Sequence, residues 1–87
     1  MKTYTFYCDP GHAWLRVKKE EIEPIKFDIS PYSYMRGKYV YLEEDSDANI
    51  FLKHKFGNIE NAKPYIKEKY AENTAIRNYN QYNSNFI

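Results

Sequence analysis

The chain is 87 residues long, holds ten tyrosines and has a formal net charge of +1. That length makes one domain, and a domain of this size buries only about 60 % of its unfolded surface. A deep substrate cavity would consume scarce core, so an enzyme is not expected, and neither is a cofactor.

Residues 1–47 hold seven Lys/Arg against nine Asp/Glu, and residues 48–87 hold six against three. This contrast is too weak for the basic stripe of a dedicated nucleic-acid binder. The single cysteine, Cys8, closes no internal disulfide and reads as a small buried hydrophobe. No apolar run approaches the roughly 20 residues of a membrane span, and no leader pattern appears at Met1. These features point to a soluble, cytoplasmic protein with no membrane partner.

Lys2 to Cys8 alternates β-forming residues, which predicts a strand. Asp9-Pro10-Gly11-His12 supplies turn chemistry, and His12 to Val17 predicts a second strand. Pairing Cys8 with Ala13 and Phe6 with Leu15 gathers the apolar residues on one face. Thr5, Tyr7, Trp14 and Arg16 fall on the other. Lys18 to Ile25 predicts a brief helix that Pro24 ends. Tyr32 to Leu42 predicts a second hairpin with Gly37 in the turn. Pairing Tyr34 with Tyr39 and Tyr32 with Tyr41 puts four rings on one face, with Met35, Val40 and Leu42 toward the core.

Ala48, Phe51, Leu52 and Phe56 are spaced as one helix face. Asp45 or Ser46 would cap it, and Gly57 would stop it. Tyr65 to Ala71 is open between a strand with Ile66 and Tyr70 inward and a helix starting at Pro64. The expected fold class is α+β: a small antiparallel sheet of two hairpins plus a fifth strand, covered by one short and one clear helix. The domain would span residues 1–77. Residues 78–87 form an Asn/Tyr-rich tail, expected to be loosely held. A bare strand edge leaves monomer and homodimer both open.

Three segments stand out together: Tyr7-Cys8-Asp9-Pro10-Gly11-His12-Ala13-Trp14-Leu15-Arg16-Val17, Ser30-Pro31-Tyr32-Ser33-Tyr34, and Val40 to Ala48. With Ile76-Arg77-Asn78-Tyr79, they resemble a family of short, functionally uncharacterised proteins of bacteriophages, prophages and other mobile elements. That family's pattern runs D-P-G-H-G-W-L-x-V, Y-S-Y, Y-L-E-E-D-C-D-A. Here Ala13 stands at a usual glycine and Ser46 at a frequent cysteine, which argues against an essential thiol there. The resemblance implies no activity. It implies a phage accessory setting, in which short proteins bind and block or redirect host machinery.

Asp9, His12 and Trp14 look like a catalytic corner but lack a nucleophile and a pocket. His12, Trp14 and Arg16 therefore stand as secondary binding candidates. No Cys/His spacing fits zinc, and the acidic run lacks the glycine and distal glutamate of a calcium loop. The leading candidate is one continuous protein-binding surface made of Tyr32, Tyr34, Tyr39 and Tyr41 with Glu43, Glu44, Asp45 and Asp47. Tyrosine brings rigid amphipathic area to interfaces. The same rings packed under a helix are the competing expectation. The expected partner is a host or phage protein, with antagonism of a host defence or nucleic-acid enzyme as the sharpest form. The alternative is a nucleic-acid module using Arg36, Lys38, Lys53, Lys55, Lys63, Lys67, Lys69 and Arg77 with stacking tyrosines. It requires those cations to share a face with the rings.

Overall fold

The computed structural model describes residues 2–72 and 74–87. The first hairpin joins β1 (Tyr4–Cys8) to β2 (Ala13–Lys18). Its register is the expected one, Phe6 opposite Leu15 and Cys8 opposite Ala13. The turn chemistry is visible: Asp9 Oδ1 accepts from the backbone N–H of Gly11 at 3.0 Å and of His12 at 2.9 Å. Cys8 is half-buried rather than enclosed.

A single turn, α1 (Lys19–Ile22), follows β2, and Pro24 sits in the 3-10 turn Glu23–Ile25. Ile22 and Ile25 are both buried. The second hairpin joins β3 (Tyr34–Arg36) to β4 (Tyr39–Glu43), but its register differs from expectation. Tyr34 pairs with Tyr41 and Arg36 with Tyr39. The loop is the two-residue Gly37-Lys38, with Gly37 at φ 58°, and glycine in the first position suits so tight a hairpin turn. A slip of two residues preserves side-chain parity. Tyr34, Tyr39 and Tyr41 therefore still share a face, while Tyr32 is left outside the strand.

Helix α2 (Asp47–Phe56) ends at Gly57, whose φ of 85° lets its N–H reach the Lys53 carbonyl. Ser46 occupies the N-cap but makes no side-chain cap bond. Helix α3 (Ile59–Ala62) and the 3-10 turn Lys63–Tyr65 lead into β5 (Ile66–Tyr70), which resolves the open segment as a strand. β5 pairs parallel with β1, so the sheet is mixed rather than antiparallel. The reason is topological: β1 and β4 both run antiparallel to β2, and the α2–α3 connection from β4 crosses over to deliver β5 in the same direction. Ile66 packs against the core, but Tyr70 is 61 % exposed at the edge.

The tail is built into the fold. β6 (Asn80–Gln81) pairs with β3. Tyr82 is 6 % exposed, donates its hydroxyl to the Lys26 carbonyl at 2.5 Å and donates its N–H to the Ser33 carbonyl at 2.8 Å. The result is an open six-stranded sheet, β5-β1-β2-β4-β3-β6. One face packs Tyr4, Leu15, Val17, Val40 and Leu42 against Ile22, Phe51, Leu52 and Ala62. The other face carries a second cluster, Trp14 and Tyr41 with Tyr7, Tyr34, Tyr39 and Tyr79, under Ile76.

A candidate binding cleft at Trp14

The tyrosine face, crossed by the 3-10 turn Ile76–Asn78, ends in a cleft of about 260 Å³ lined by His12, Trp14, Tyr32, Tyr34, Glu43, Asp45 and Arg77. Its back wall is fixed by Asp9, whose side chain is almost wholly buried. Arg77 grips this carboxylate with both terminal nitrogens, at 2.5 and 3.1 Å. Burial works against ionising Asp9, but the Arg77 hydrogen bonds and the Gly11 and His12 amides together hold its carboxyl below the ordinary value.

Arg77 then does two further things. Its guanidinium carbon lies 5.1 Å from the centre of the Trp14 ring, and its Nη2 lies 2.8 Å from His12 Nδ1. Arginine has only donors, so in this arrangement Nδ1 accepts and the His12 ring proton sits on Nε2. The His12 and Trp14 rings stack at 5.7 Å, and Tyr34 meets Trp14 edge-on at 6.3 Å.

The opposite wall depends on Asp47. It is 1 % exposed and therefore does not join the acidic surface expected of it. Its carboxylate accepts from the Ser30 N–H at 3.1 Å, the Ser30 hydroxyl at 2.7 Å and the Ser33 hydroxyl at 2.5 Å. Ser33 Oγ in turn accepts from the Glu43 N–H at 3.0 Å. This chain ties the start of α2 to the Ser30–Ser33 loop and to the end of β4, and so sets Tyr32 and Tyr34 beside Glu43. The Glu43 carboxylate also accepts from the Asp45 N–H, which holds the two acids together at the rim.

The expected surface is thus divided. Tyr32 is 76 % exposed, whereas Tyr41 is only 9 % exposed and belongs to the second cluster. Its ring lies 5.1 Å from that of Tyr79, and burial, then the neighbouring Tyr79, raises its pKa. Tyr39 lies away from the cleft, under the Arg16 guanidinium at 4.5 Å. Glu44 is exposed but does not line the cleft. Of the secondary candidates, His12 and Trp14 join Tyr32, Tyr34, Glu43 and Asp45, and Arg16 does not.

The alternative cations divide as well. Lys53 and Lys55 lie on α2 and Lys63 follows α3, on the helix-covered side. Lys38 lies in the β3–β4 turn. Lys67 pairs with Thr5, Lys69 with Tyr7 and Arg36 with Tyr39, so these three share the tyrosine face. Local sequence patterns could not find the Asp9–Arg77 pair, because 68 residues separate its members. The only pointer was the Ile-Arg-x-Tyr stretch at Ile76. No family model, curated protein or solved structure matches the chain.

Proposed function

We propose that this chain is an accessory protein of a phage or other mobile element that acts by binding a host or phage protein through the Trp14 cleft. One observation carries the reading: the four segments that bear the family resemblance all contribute to this one cleft. His12 and Trp14 come from the first, Tyr32 and Tyr34 from the second, Glu43 and Asp45 from the third, and Arg77 from the fourth.

The chemistry favours a cationic side chain of the partner. Two rim carboxylates can take an arginine or lysine head, while the aromatic rings take its stem and the flat face of a guanidinium. Among the described residues the lining contains no serine, threonine, cysteine or lysine, and His12 Nδ1 is engaged by Arg77. Both points favour binding over covalent catalysis. Antagonism of a host defence or nucleic-acid enzyme is the sharpest form of the proposal.

The test is capture of a partner from host lysate, then titration of the purified pair. Tyr32→Ala and Asp45→Ala alter exposed positions and should each weaken binding by about 2 kcal/mol while the fold survives. A partner that binds both variants as tightly as the parent chain would remove the cleft as the working surface.

A further inference from the structure

Beyond the cleft and the Ile76–Asn78 turn, the tyrosine face has a charge pattern that strand register makes explicit. Lys67 and Lys69 on β5 lie beside Thr5 and Tyr7 on β1. Thr5 lies beside Arg16 on β2, and Arg16 beside Tyr41 on β4. Lys18 pairs with Tyr39, and Tyr39 with Arg36 on β3. Across these paired positions the face carries one carboxylate, Glu43 opposite Trp14, at the cleft end. Glu68 shares the side of Phe6, the opposite face.

Among the described residues, Arg16, Lys18, Arg36, Lys67 and Lys69 form no ion pair, although Lys2, Lys26, Lys55, Lys63 and Arg77 each do. Two of these unpaired cations lie against aromatic rings. The Arg16 guanidinium carbon is 5.4 Å from the Tyr7 ring centre and 4.5 Å from that of Tyr39. Arg36 lies 5.0 Å from the ring of Tyr79.

We propose that this strip, from Lys67 and Lys69 through Tyr7, Arg16 and Tyr39 to Arg36, binds single-stranded nucleic acid. Tyr7, Arg16 and Tyr39 are partly exposed, and positive charge interleaved with flat π-surfaces is what an unpaired strand needs, since phosphates take the cations while unstacked bases take rings and guanidinium planes. Strands about 4.8 Å apart place Lys67 and Arg36 roughly 19 Å from each other, room for a short run of nucleotides. A duplex keeps its bases stacked inside and would use only the charges. This site uses different side chains from the cleft, so its failure leaves the protein-binding reading intact.

Fluorescence anisotropy of a short labelled homothymidine or homouridine strand, beside a duplex of the same length, tests the proposal on the full chain. The expected result is binding at low salt that prefers the single strand. Four or five phosphate contacts give a slope of log affinity against log salt of about −3. Lys67→Glu with Lys69→Glu alters exposed edge positions, leaves the fold in place and flattens that slope by about 1.4 or more. Tyr39→Ala costs roughly 5- to 100-fold in affinity, whereas Tyr39→Phe keeps the ring and the binding. Absence of binding at low salt overturns the proposal. So does equal affinity for duplex together with indifference to Tyr39→Ala, which leaves only unspecific phosphate attraction, and so does binding unchanged in the Lys67/Lys69 double variant.

Discussion

Replacing Asp47 with alanine should cost this fold far more than an acidic residue in an acidic run normally would. The carboxylate takes three donors from two serines, and hydrogen bonds to a charged acceptor contribute about 1.5–3 kcal/mol each. Ser30 is only partly buried and can turn to water, so its loss is partly recovered. Ser33 is fully buried and cannot, and a stranded buried hydroxyl costs about 1–3 kcal/mol. Together these give roughly 3–4 kcal/mol for Asp47→Ala. A chain of 87 residues has about 4–13 kcal/mol in total. At about 4–8 °C per kcal/mol for a domain of this size, the melting temperature should fall by more than about 10 °C. Asp47→Asn keeps one acceptor oxygen and should lose about half as much. Thermal melts followed by circular dichroism measure both. The Asp47→Ala protein should also lose the shape of the cleft, because the Ser30–Ser33 loop is no longer tied to the start of α2. A change within about 0.5 kcal/mol, the range of ordinary surface substitutions, would refute the whole account of how the cleft is held.

Tyr41→Ala should destabilise by about 3 kcal/mol or more as a buried aromatic truncation, while Tyr32→Ala should stay within about 0.5 kcal/mol. Paired melts separate the two. Burial, then the charges of Asp47 and Glu23, pushes the Tyr82 phenol from 10.0 up to about 12. A raised folded-state value means the stability it contributes is present below pH 10 and is lost as pH rises through about 12. Tyr82→Phe should therefore flatten the alkaline limb of a melting-temperature profile across that window, and an unchanged limb would discount the shift. Trp14 is the only tryptophan and lies under Arg77, so its fluorescence reports on the cleft. Arg77→Lys should alter that emission and weaken acid tolerance, since lysine cannot hold Asp9 through two nitrogens. Emission and acid midpoint both matching the parent would count against the Arg77 clamp.

The first hairpin was legible because its determinants are local. Asp9, Pro10 and Gly11 specify the turn, and the apolar alternation leaves one register that keeps Leu15 and Val17 with Tyr4. The second hairpin was legible in parity but not in register, because Gly37 suits both the two-residue and the longer turn. Asp47 was misread for a different reason. At the start of a helix an aspartate normally serves its own backbone, and only the serines 14 and 17 residues earlier in the chain reveal its other use. Tyr70 and Tyr82 exchanged expected environments because the order of strands in the sheet decides which edge is bare, and nothing near either residue encodes that order. The cleft was visible as pieces, His12 with Trp14 and Tyr32 with Glu43. What joins them is contact between residues far apart in the chain.

That distance has a consequence for how the molecule comes into being. Asp9 is made 68 residues before Arg77, and β1 waits for β5 just as β3 waits for β6. Pairings between such remote segments form late, because a long loop must close before they return any energy. While the chain is still being synthesised, Trp14 has no guanidinium over it and Tyr41 lies uncovered. The cleft is therefore absent from any fragment that stops short of residue 77. A product truncated before Arg77 offers only loose aromatic surface, and the cleft arrives in one step with Arg77 rather than growing along with the chain.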